Sequence, residues 1–569
     1  MMQLSRYVLF AALPLAAQQT YDLGPDSQLQ LASPKGALSK HTLAPGKYFP
    51  GTPHNYSLYV PKQYDAAKPT PFMIFLDGSG ALGAGVRAPI VFDNLIAKGD
   101  LPPMIGIFID PGVLPAHGEA QSRFERVFEY DSISGRFANF LTDELIAEVA
   151  KSYNLSKDPN DRGLYGVSTG AVGAFAAAWN RPDQFRRVLS FIGTFVSMKG
   201  ADGLPALIRK TEPKPIRIFL QAGKNDHIAP NQPWGTFYGG SWPINNQVML
   251  EAFQFAGYDV KLELGDEGHN MKHGAAILPE ALRWLWRGYP APITAKEPAA
   301  LNQPGWDPRG RVSSIVSASS QWEKVLDNAQ SVTQAYDGSI RVGTGTGVMT
   351  LGGAETKLGS ATQIRQGDTV IAGGQIIATI SGELLTQHAK AKGIAVTAKG
   401  DIYFTSANTI GRIDATGKNT IVWQGSDIAE PTGLALSPDQ GMLVVTDAQS
   451  RFSWSFQIAA DGKLINGEPF YRLEMPESGW RSEALAAAID SIGQVYFATA
   501  IGIQMCEANG RVAAILNSPS RDRATDIAFA TQGNADWLYA VAGGKLYRRA
   551  VKVKGVPTWA PAKLPRPPL

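Results

Sequence analysis

The second half of the chain repeats one pattern, and this repetition limits the folds that it can adopt. Each unit gives an apolar strand, a turn near Asp or Gly, and a second strand. The six units begin at Gly338, Gly367, Gly400, Gly441, Gly493 and Asp536. Their spacing averages about 40 residues, which is typical of a β-propeller with four-stranded blades. We therefore predict a six-bladed β-propeller; two short first intervals leave the count open by one blade, and an open β-solenoid is the alternative.

The first half of the chain has a different rhythm. Short, nearly continuous apolar runs such as "PFMIFLDG" and "RIFLQAG" are typical of strands buried on both faces of a parallel sheet. Between such runs, "RFANFLTDELIAEVAKSY" has the 3.6-residue apolar period of a helix. The alternation predicts a doubly wound α/β domain over residues 18–289.

A proline-rich segment separates the two halves. Residues 287–310 hold five prolines and no periodicity, and we predict a linker at 290–310. The propeller domain then spans 311–569, and the segment 310–319 is the candidate for the strand that closes its ring. A chain of 569 residues also exceeds what one hydrophobic core usually serves, so two domains are expected on length alone.

The N-terminus has the pattern of an export signal. Arg6 precedes an apolar run of 11 residues, which is too short to span a bilayer, and residues 1–17 are predicted to be cleaved near Ala17. No later stretch is apolar and long enough for a membrane span. The single cysteine, Cys506, cannot form an internal disulfide and is predicted to be buried. These features favour an exported protein, periplasmic or extracellular, in a bacterium.

The charge balance argues against a nucleic-acid partner. The formal net charge is +3, and no run of Lys and Arg occurs. Binding to a phosphate backbone usually needs a clustered basic surface. We therefore expect no nucleic-acid partner.

One serine stands between two glycines where an apolar run meets a helical stretch. The run "RGLYGV" leads into Gly166-Val167-Ser168-Thr169-Gly170, and a Gly/Ala-rich helix is predicted directly after it. The two glycines allow a strained strand-to-helix turn that presents the serine oxygen above the sheet. A serine attacks when a base takes its proton and the oxyanion is stabilised. The setting predicts Ser168 as a nucleophile, with a plain strand–helix turn as the alternative.

The base should follow the serine along the chain, because this fold carries its triad in the order serine, acid, histidine. After Ser168 the first half offers His227, His269 and His273. His269 lies in a loop between a predicted strand and the last helix, which is where this fold delivers its histidine. We predict His269 as the base and keep His273 as the alternative.

Asp226 is the predicted orienting acid. It follows the strand "RIFLQAG", and catalytic groups gather at the carboxyl edge of such sheets. Asp266 and Glu267 are nearer to His269 in sequence, but so close a neighbour seldom turns back onto the ring. We interpret these two residues as solvated loop charges.

Backbone N–H groups should stabilise the oxyanion. The N–H of Thr169 directly follows the nucleophile and is one predicted donor. The second should come from the loop "FLDGSGALGAG", with Ser79 or Gly80 as the donor. The loop is not a phosphate cradle, because no G-K-[ST] follows it.

Residues from about 22 to 289 resemble the esterase D / enterochelin esterase-like branch of the α/β-hydrolases. The resemblance is carried by "YSLYVPKQYD", "MIFLDGSG", "GVSTGAVGAFAAAW", "FLQAGKND" and "GDEGHNMKHGAAILPEALRWLW". It implies ester hydrolysis without a metal or other cofactor, and its motif positions match Ser168, Asp226 and His269. Members act on enterobactin, feruloyl and acetyl-sugar esters and S-formylglutathione. The expected partner is therefore a small-molecule or carbohydrate-linked ester.

Residues from about 310 to 555 resemble the senescence marker protein / gluconolactonase-like propellers. "PTGLALSPDQGMLVVTDAQS", "GQVYFATAIGIQMCEANGRV" and "LYAVAGGKLYRRAVKVKG" carry this resemblance. Active members hold one divalent cation with a Glu, an Asn and an Asp from separate blades, and they open lactones.

This chain departs from that metal-binding pattern. Thr432 stands where the Asn is expected, Glu483 or Ala484 replaces the Asp, and no Glu occurs around 329–331. Oxygen-rich sites need several charged ligands to hold Ca²⁺. We therefore predict a degenerate metal site near Thr432 and Glu483 and no bound metal, with a divalent cation such as Ca²⁺ left as the open alternative.

Together these features predict an exported serine carboxylesterase, whose propeller is a binding or scaffolding module. A metal-dependent lactonase activity in the propeller is the first alternative. A non-catalytic binding protein with a vestigial triad is the second.

Overall fold

The computed structural model describes residues 20–227, 239–295, 312–365, 369–372, 375–378, 384–387, 391–477 and 479–557. The predicted signal segment 1–17 and most of the predicted linker 290–310 lie outside these residues. The signal segment, the linker and the two domain boundaries therefore stay predictions.

An eight-stranded mixed sheet forms the centre of the first domain. Its strand order is β1-β2-β4-β3-β7-β8-β9-β10, and all pairings from β4 to β10 are parallel, whereas β1 and β2 are antiparallel to their neighbours. The strands of this domain, with the small hairpin β5–β6, are β1 Ala37–Leu43, β2 His54–Val60, β3 Phe72–Leu76, β4 Ile105–Ile109, β5 Val113–Leu114, β6 Arg123–Phe124, β7 Arg162–Val167, β8 Arg187–Phe191, β9 Arg217–Gly223 and β10 Asp259–Gly265.

Helices join these strands. The α-helices are Gly78–Leu82, Ala88–Lys98, Arg126–Tyr130, Gly135–Phe140, Ala147–Val149, Thr169–Asn180, Leu204–Lys210, Trp242–Phe255 and Lys272–Trp286. Short 3₁₀ turns lie at Pro25–Ser27, Pro159–Asp161 and Ala201–Gly203, and a π-helical turn spans Leu141–Ile146.

The sheet separates two hydrophobic clusters. Along β3, Phe72 and Ile74 belong to one cluster, while Met73 and Phe75 belong to the other. The first cluster also contains the helix Thr169–Asn180, and the second contains residues of the helix Lys272–Trp286. Alternate side chains of a strand point to opposite faces, so both faces of the sheet are covered, as the continuous apolar runs predict.

The second domain is built from antiparallel sheets. Four of them have four strands each, ordered β11-β33-β32-β31, β19-β20-β21-β22, β23-β24-β25-β26 and β27-β28-β29-β30, and one has seven strands in the order β12 to β18. The strands are β11 Glu323–Leu326, β12 Ser331–Gln334, β13 Ile340–Gly343, β14 Gly345–Thr350, β15 Glu355–Arg365, β16 Thr369–Ala372, β17 Gln375–Ala378, β18 Leu384–Gln387, β19 Ile394–Val396, β20 Ile402–Ser406, β21 Thr409–Ile413, β22 Asn419–Gln424, β23 Pro431–Leu436, β24 Met442–Asp447, β25 Phe452–Ile458, β26 Leu464–Arg472, β27 Ala486–Ile489, β28 Val495–Thr499, β29 Gly502–Cys506, β30 Val512–Leu516, β31 Ala524–Gln532, β32 Ala535–Ala542 and β33 Lys545–Val551. We therefore detect a β-propeller with five blades among the described residues, and the predicted count of six is not confirmed.

The closing strand was predicted wrongly. Within the segment 310–319, Val312–Ile315 forms a short helix that packs Ile315 and Val316 into the core. Apolar residues at 312, 315 and 316 have the spacing of one helical turn, which explains the difference. The strand that pairs with the C-terminal β33 is β11. As predicted, Cys506 is buried in a strand, and burial raises the pKa of its thiol.

A buried ion pair joins the two domains. Arg549 of β33 donates to both carboxylate oxygens of Glu212, which follows the helix Leu204–Lys210. The Glu212 N–H donates to Ile515 O at 2.8 Å, and Asn517 N donates to Glu212 Oε2 at 3.0 Å. Lys210 adds an ion pair with Glu474. The first domain is therefore docked on the propeller by charge-assisted hydrogen bonds as well as by packing.

Replacement of Arg549 by Met should lower the free energy of unfolding by about 2–4 kcal/mol, because the Glu212 carboxylate would stay largely buried without its partner. The measurement is urea unfolding of the full chain. Arg548→Met is the matched control, because the neighbouring Arg548 forms a more exposed pair with Glu323. Such exposed pairs contribute about 0–1 kcal/mol. Equal effects of the two substitutions would contradict the role of Arg549.

Candidate active site

Ser168 lies on a strained turn between β7 and the helix Thr169–Asn180. Its backbone has φ 57° and ψ −122°, a conformation that side-chain-bearing residues rarely adopt. A Cβ at Gly166 would lie 2.0 Å from the carbonyl oxygen of Gly170, so only glycine fits at 166. The Ser168 N–H donates to Phe191 O at 2.9 Å and fixes the turn to β8.

The structure brings the three predicted triad residues into one hydrogen-bonded chain. His269 Nε2 lies 2.9 Å from Ser168 Oγ. His269 Nδ1 lies 2.9 and 3.0 Å from the two carboxylate oxygens of Asp226, whose side chain is fully buried. These distances fit a base that takes the serine proton while a buried carboxylate holds its ring.

Two loops from neighbouring strands place the acid and the base together. Asp226 follows β9 and His269 follows β10, and these strands are parallel and paired. The loops also bind each other, because Lys224 N donates to Gly265 O at 2.7 Å and Asn225 N donates to Glu267 O at 3.2 Å. The Asp226–His269 distance is thus fixed by backbone contacts, independently of the two side chains.

Two rings to which the sequence analysis assigned no role, those of His227 and Trp242, flank His269. His227 stacks on the His269 ring with centroids 4.9 Å apart, and Trp242 meets it edge-on at 5.6 Å. His227 directly follows Asp226 in sequence, and this adjacency could have indicated that it lies near His269. Trp242 begins the helix Trp242–Phe255, and its approach depends on tertiary packing.

Thr194 is a further neighbour of the nucleophile. Its Oγ1 lies 3.0 Å from Ser168 Oγ, and its N–H donates to Ser168 O at 3.2 Å. It lies in the segment after β8, the next strand beside β7. Nothing in its local sequence indicates this contact.

The predicted oxyanion donors differ in their availability. Thr169 is the first residue of its helix, so its N–H has no acceptor within the helix. The N–H of Ser79, however, donates to Asp110 Oδ1 at 2.9 Å, and that of Gly80 donates to Asp77 O at 2.9 Å. Ser79 would have to release Asp110 before it could bind an oxyanion. Its role stays a prediction.

The alternative base lies elsewhere. His273 is buried, with Nδ1 3.1 Å from Gln221 Nε2 and its ring 4.3 Å from that of Tyr21. Burial lowers the pKa of His273. Asp266 pairs with Lys224 in an exposed salt bridge, and Glu267 lies near Lys272, so neither carboxylate bonds to the His269 ring.

Comparison with known families assigns both halves. Residues 49–280 match the family model "Putative esterase", and residues 320–542 match the model "SMP-30/Gluconolactonase/LRE-like region". The chain joins an esterase domain to a gluconolactonase-like domain. This match confirms the two predicted resemblances and the prediction of an ester-hydrolysing enzyme.

Known relatives cover single halves of the chain. It is 21% identical over 256 residues to the uncharacterized protein YbbA of Bacillus subtilis, across 44% of this chain and 97% of that protein. It is 27% identical over 207 residues to the iron(III) enterobactin esterase of Dickeya dadantii, across 34% of this chain and 42% of that protein. A solved gluconolactonase of Xanthomonas campestris is 15% identical, with a TM-score of 0.36, over 42% of this chain and 92% of that one. The match to the enterobactin esterase thus spans less than half of its length.

The described residues of the two domains include no helix that is long and apolar enough to cross a membrane.

Within the esterase domain, Asp226, His227 and His269 offer ligand atoms that lie within 4.8 Å of one another. Asp226 and His269 already bond to each other, and His269 also bonds to Ser168. We assign no metal to the trio.

The predicted degenerate metal site of the gluconolactonase-like domain has other partners. Thr432 Oγ1 lies 2.7 Å from Ala484 O and 2.6 Å from Thr446 Oγ1. Glu483 forms an ion pair with Arg523. Glu483 is the one carboxylate at the predicted metal site, and its partner is therefore the guanidinium of Arg523 from the same chain.

An arginine forms the wall beside the nucleophile of the esterase domain. Arg126 donates from Nε and Nη2 to the two carboxylate oxygens of Asp77, both at 2.7 Å, and from Nη2 to Val167 O at 3.2 Å. The nearby carboxyl of Asp131 is buried, and neither oxygen has a hydrogen-bond partner in the structure. Burial raises the pKa of Asp131 to about 6, Lys199 and Arg126 oppose the rise, and Glu477 of the propeller adds to it.

Asp131→Asn should stabilise the protein at neutral pH. The pKa of Asp131 is raised from 3.8 to about 6 in the folded protein. Between these two pH values the unfolded chain ionises more readily than the folded protein, so the free energy of unfolding of the wild type falls as the pH rises. The variant should gain up to about 3 kcal/mol in free energy of unfolding at pH 7, and little near pH 4. Urea unfolding at both pH values measures this. The exposed Asp65→Asn serves as control, and a gain that is the same at both pH values would contradict the prediction.

Proposed function

We propose that the esterase domain is a serine carboxylesterase that cleaves a small-molecule or carbohydrate-linked ester. The observation that carries the proposal is the chain of hydrogen bonds from Ser168 through His269 to Asp226. Ser168 Oγ attacks the ester carbonyl carbon while His269 Nε2 takes its proton. His269 then returns the proton to the leaving alcohol, and a water repeats the sequence on the acyl-enzyme.

Asp226 and the backbone supply the electrostatic part of the mechanism. The buried carboxylate holds the His269 ring by Nδ1 and stabilises its positive charge while the tetrahedral intermediate exists. The N–H of Thr169 and a second donor at Ser79 or Gly80 stabilise the oxyanion. The enterobactin esterase named among the relatives supports an ester substrate of this general class, and we propose no metal for this chemistry.

For the rest of the chain we propose export by the segment 1–17 to a bacterial periplasm or exterior. We also propose a doubly wound esterase sheet and a six-bladed propeller, in which the seven-stranded sheet comprises two blades. The long β15 supports this division, because it pairs with β14 through one part of its length and with β16 through residues 363–365. The propeller then acts as a binding or scaffolding module.

Ser168→Ala should lower kcat for p-nitrophenyl acetate by more than about a thousandfold, because the acyl-enzyme cannot form. His269→Gln should cause a comparable loss. His273→Gln is the matched control and should stay within about tenfold of wild type, because its contacts are to Gln221 and Tyr21. A Ser168→Ala variant that keeps its rate would refute the role, and failure of a fluorophosphonate probe to label wild type would favour a vestigial triad.

The gluconolactonase-like family match makes a lactonase the second candidate. The Glu483–Arg523 ion pair argues against a cation there, because a bound divalent ion would have to displace the guanidinium. We expect no lactone opening that depends on added Ca²⁺ or is abolished by a chelator. Chelator-sensitive opening of gluconolactone that persists in Ser168→Ala would instead establish a second active site.

A further inference from the structure

We propose that the propeller supplies one side of the esterase's substrate-binding mouth, and that Glu477 and Trp480 there bind a sugar ring of the substrate. This inference rests on the proposed esterase function. Both residues lie in the connection between β26 and β27. The argument follows two paths of contacts from Ser168 to this connection, and then considers what the exposed side chains can bind.

The first path runs through the segment after β8. Thr194 contacts Ser168, and the same segment continues to Gly200. A Cβ at Gly200 would lie 3.3 Å from both carboxylate oxygens of Glu477, so the propeller side chain packs against this glycine. Gly200 is six positions after Thr194, which limits the distance between them to about 20 Å even in a fully extended chain.

The second path runs through the helix Arg126–Tyr130. Arg126 binds Val167 O beside the nucleophile, and Phe128 of the same helix has the Lys199 Nζ 5.8 Å from its ring centre. Lys199 directly precedes Gly200, against which Glu477 packs. Both paths therefore end at Glu477, and the propeller lies beside the wall of the active site.

Aromatic side chains are exposed on both sides of this junction. Trp480 is 93% exposed, and on the esterase side Phe124 is 63% and Phe128 40% exposed. By contrast, Trp454 packs against Phe456 on the same strand, and Trp423 packs against Phe456 from the neighbouring sheet. Exposed aromatic side chains of this kind can cover an apolar face of a ligand.

The combination of groups favours a sugar ring. A sugar presents an apolar C–H face, which an indole ring covers well, and hydroxyl groups, which donate to a carboxylate. Glu477 is exposed, and it lies three positions before the exposed Trp480 in the same connection. A simple aryl ring without hydroxyl groups would contact Trp480 but would offer Glu477 no hydrogen-bond donor.

The connection is held in place on both sides of these residues. The Glu474 side chain forms an ion pair with Lys210 of the esterase domain. Its backbone N–H donates to Gln504 Oε1 at 2.8 Å, which fixes this end of the connection to the propeller. Glu483 pairs with Arg523 at the other end. A surface fixed in this way can bind without a large ordering cost.

The test uses the full chain and an acetylated xylo-oligosaccharide as the probe, with p-nitrophenyl acetate and methyl ferulate as small esters without a sugar. Trp480→Ala and Glu477→Gln should each raise KM for the sugar ester about tenfold, with kcat little changed, which is the signature of lost binding energy. In a Ser168→Ala background, calorimetry with the unacetylated oligosaccharide should show a matching loss of affinity. Ile421→Ala, an exposed apolar residue on β22, is the control and should change neither quantity.

Several outcomes would overturn the proposal. An unchanged KM for the sugar ester in both variants would do so, as would a wild type that neither cleaves nor binds the oligosaccharide. A KM that rises as much for methyl ferulate as for the sugar ester would assign Trp480 to an aryl group instead. Failure of the esterase function has a different signature, namely p-nitrophenyl acetate hydrolysis that survives Ser168→Ala, and the calorimetric arm still reports sugar binding in that case.

Discussion

The proposed active site depends on one strained turn. Ser168 adopts a positive φ because the chain must leave β7 and enter a helix within a single residue, and Gly166 and Gly170 provide the space for it. The helix Thr169–Asn180 is buried along almost its whole length, so packing on both faces of the turn holds the strain in place. The oxygen that the turn presents is consequently fixed before any substrate arrives.

The other two residues of the proposed triad, Asp226 and His269, are positioned in a different way. The loops that follow β9 and β10 bond to each other through backbone groups, and at Gly223 a Cβ would lie 2.0 Å from the carbonyl oxygen of Glu267. Close approach of the two loops therefore requires a glycine at that strand end. His227 and Trp242 then confine the His269 ring from its open sides. A strained elbow and a pair of interlocked loops together set the geometry for proton transfer.

Much of this arrangement could be predicted from the sequence, because it follows from local patterns. Apolar runs indicated the parallel strands, the glycines around Ser168 indicated the turn, and the position of His269 in the loop before the last helix favoured it over His273. The contacts that escaped prediction are made between distant segments. The Asp110 carboxylate, directly after β4, accepts the hydrogen bond from the Ser79 N–H. The Thr194 hydroxyl, in the segment after β8, contacts the Ser168 hydroxyl. The segment around Val312 was mistaken for a strand because a few apolar residues fit both periods.

The last strand among the described residues, β33, makes two kinds of contact. β33 pairs with β11 and so joins the end of the second domain to its beginning, and its Arg549 also binds Glu212 of the first domain. During synthesis Glu212 emerges from the ribosome more than 300 residues before Arg549 does. Glu212 therefore has no ion-pair partner at Arg549 until almost the whole chain has been synthesised. Closure of the second domain and its docking onto the first are consequently late steps of biogenesis, and a nascent chain that stops before β33 can complete neither.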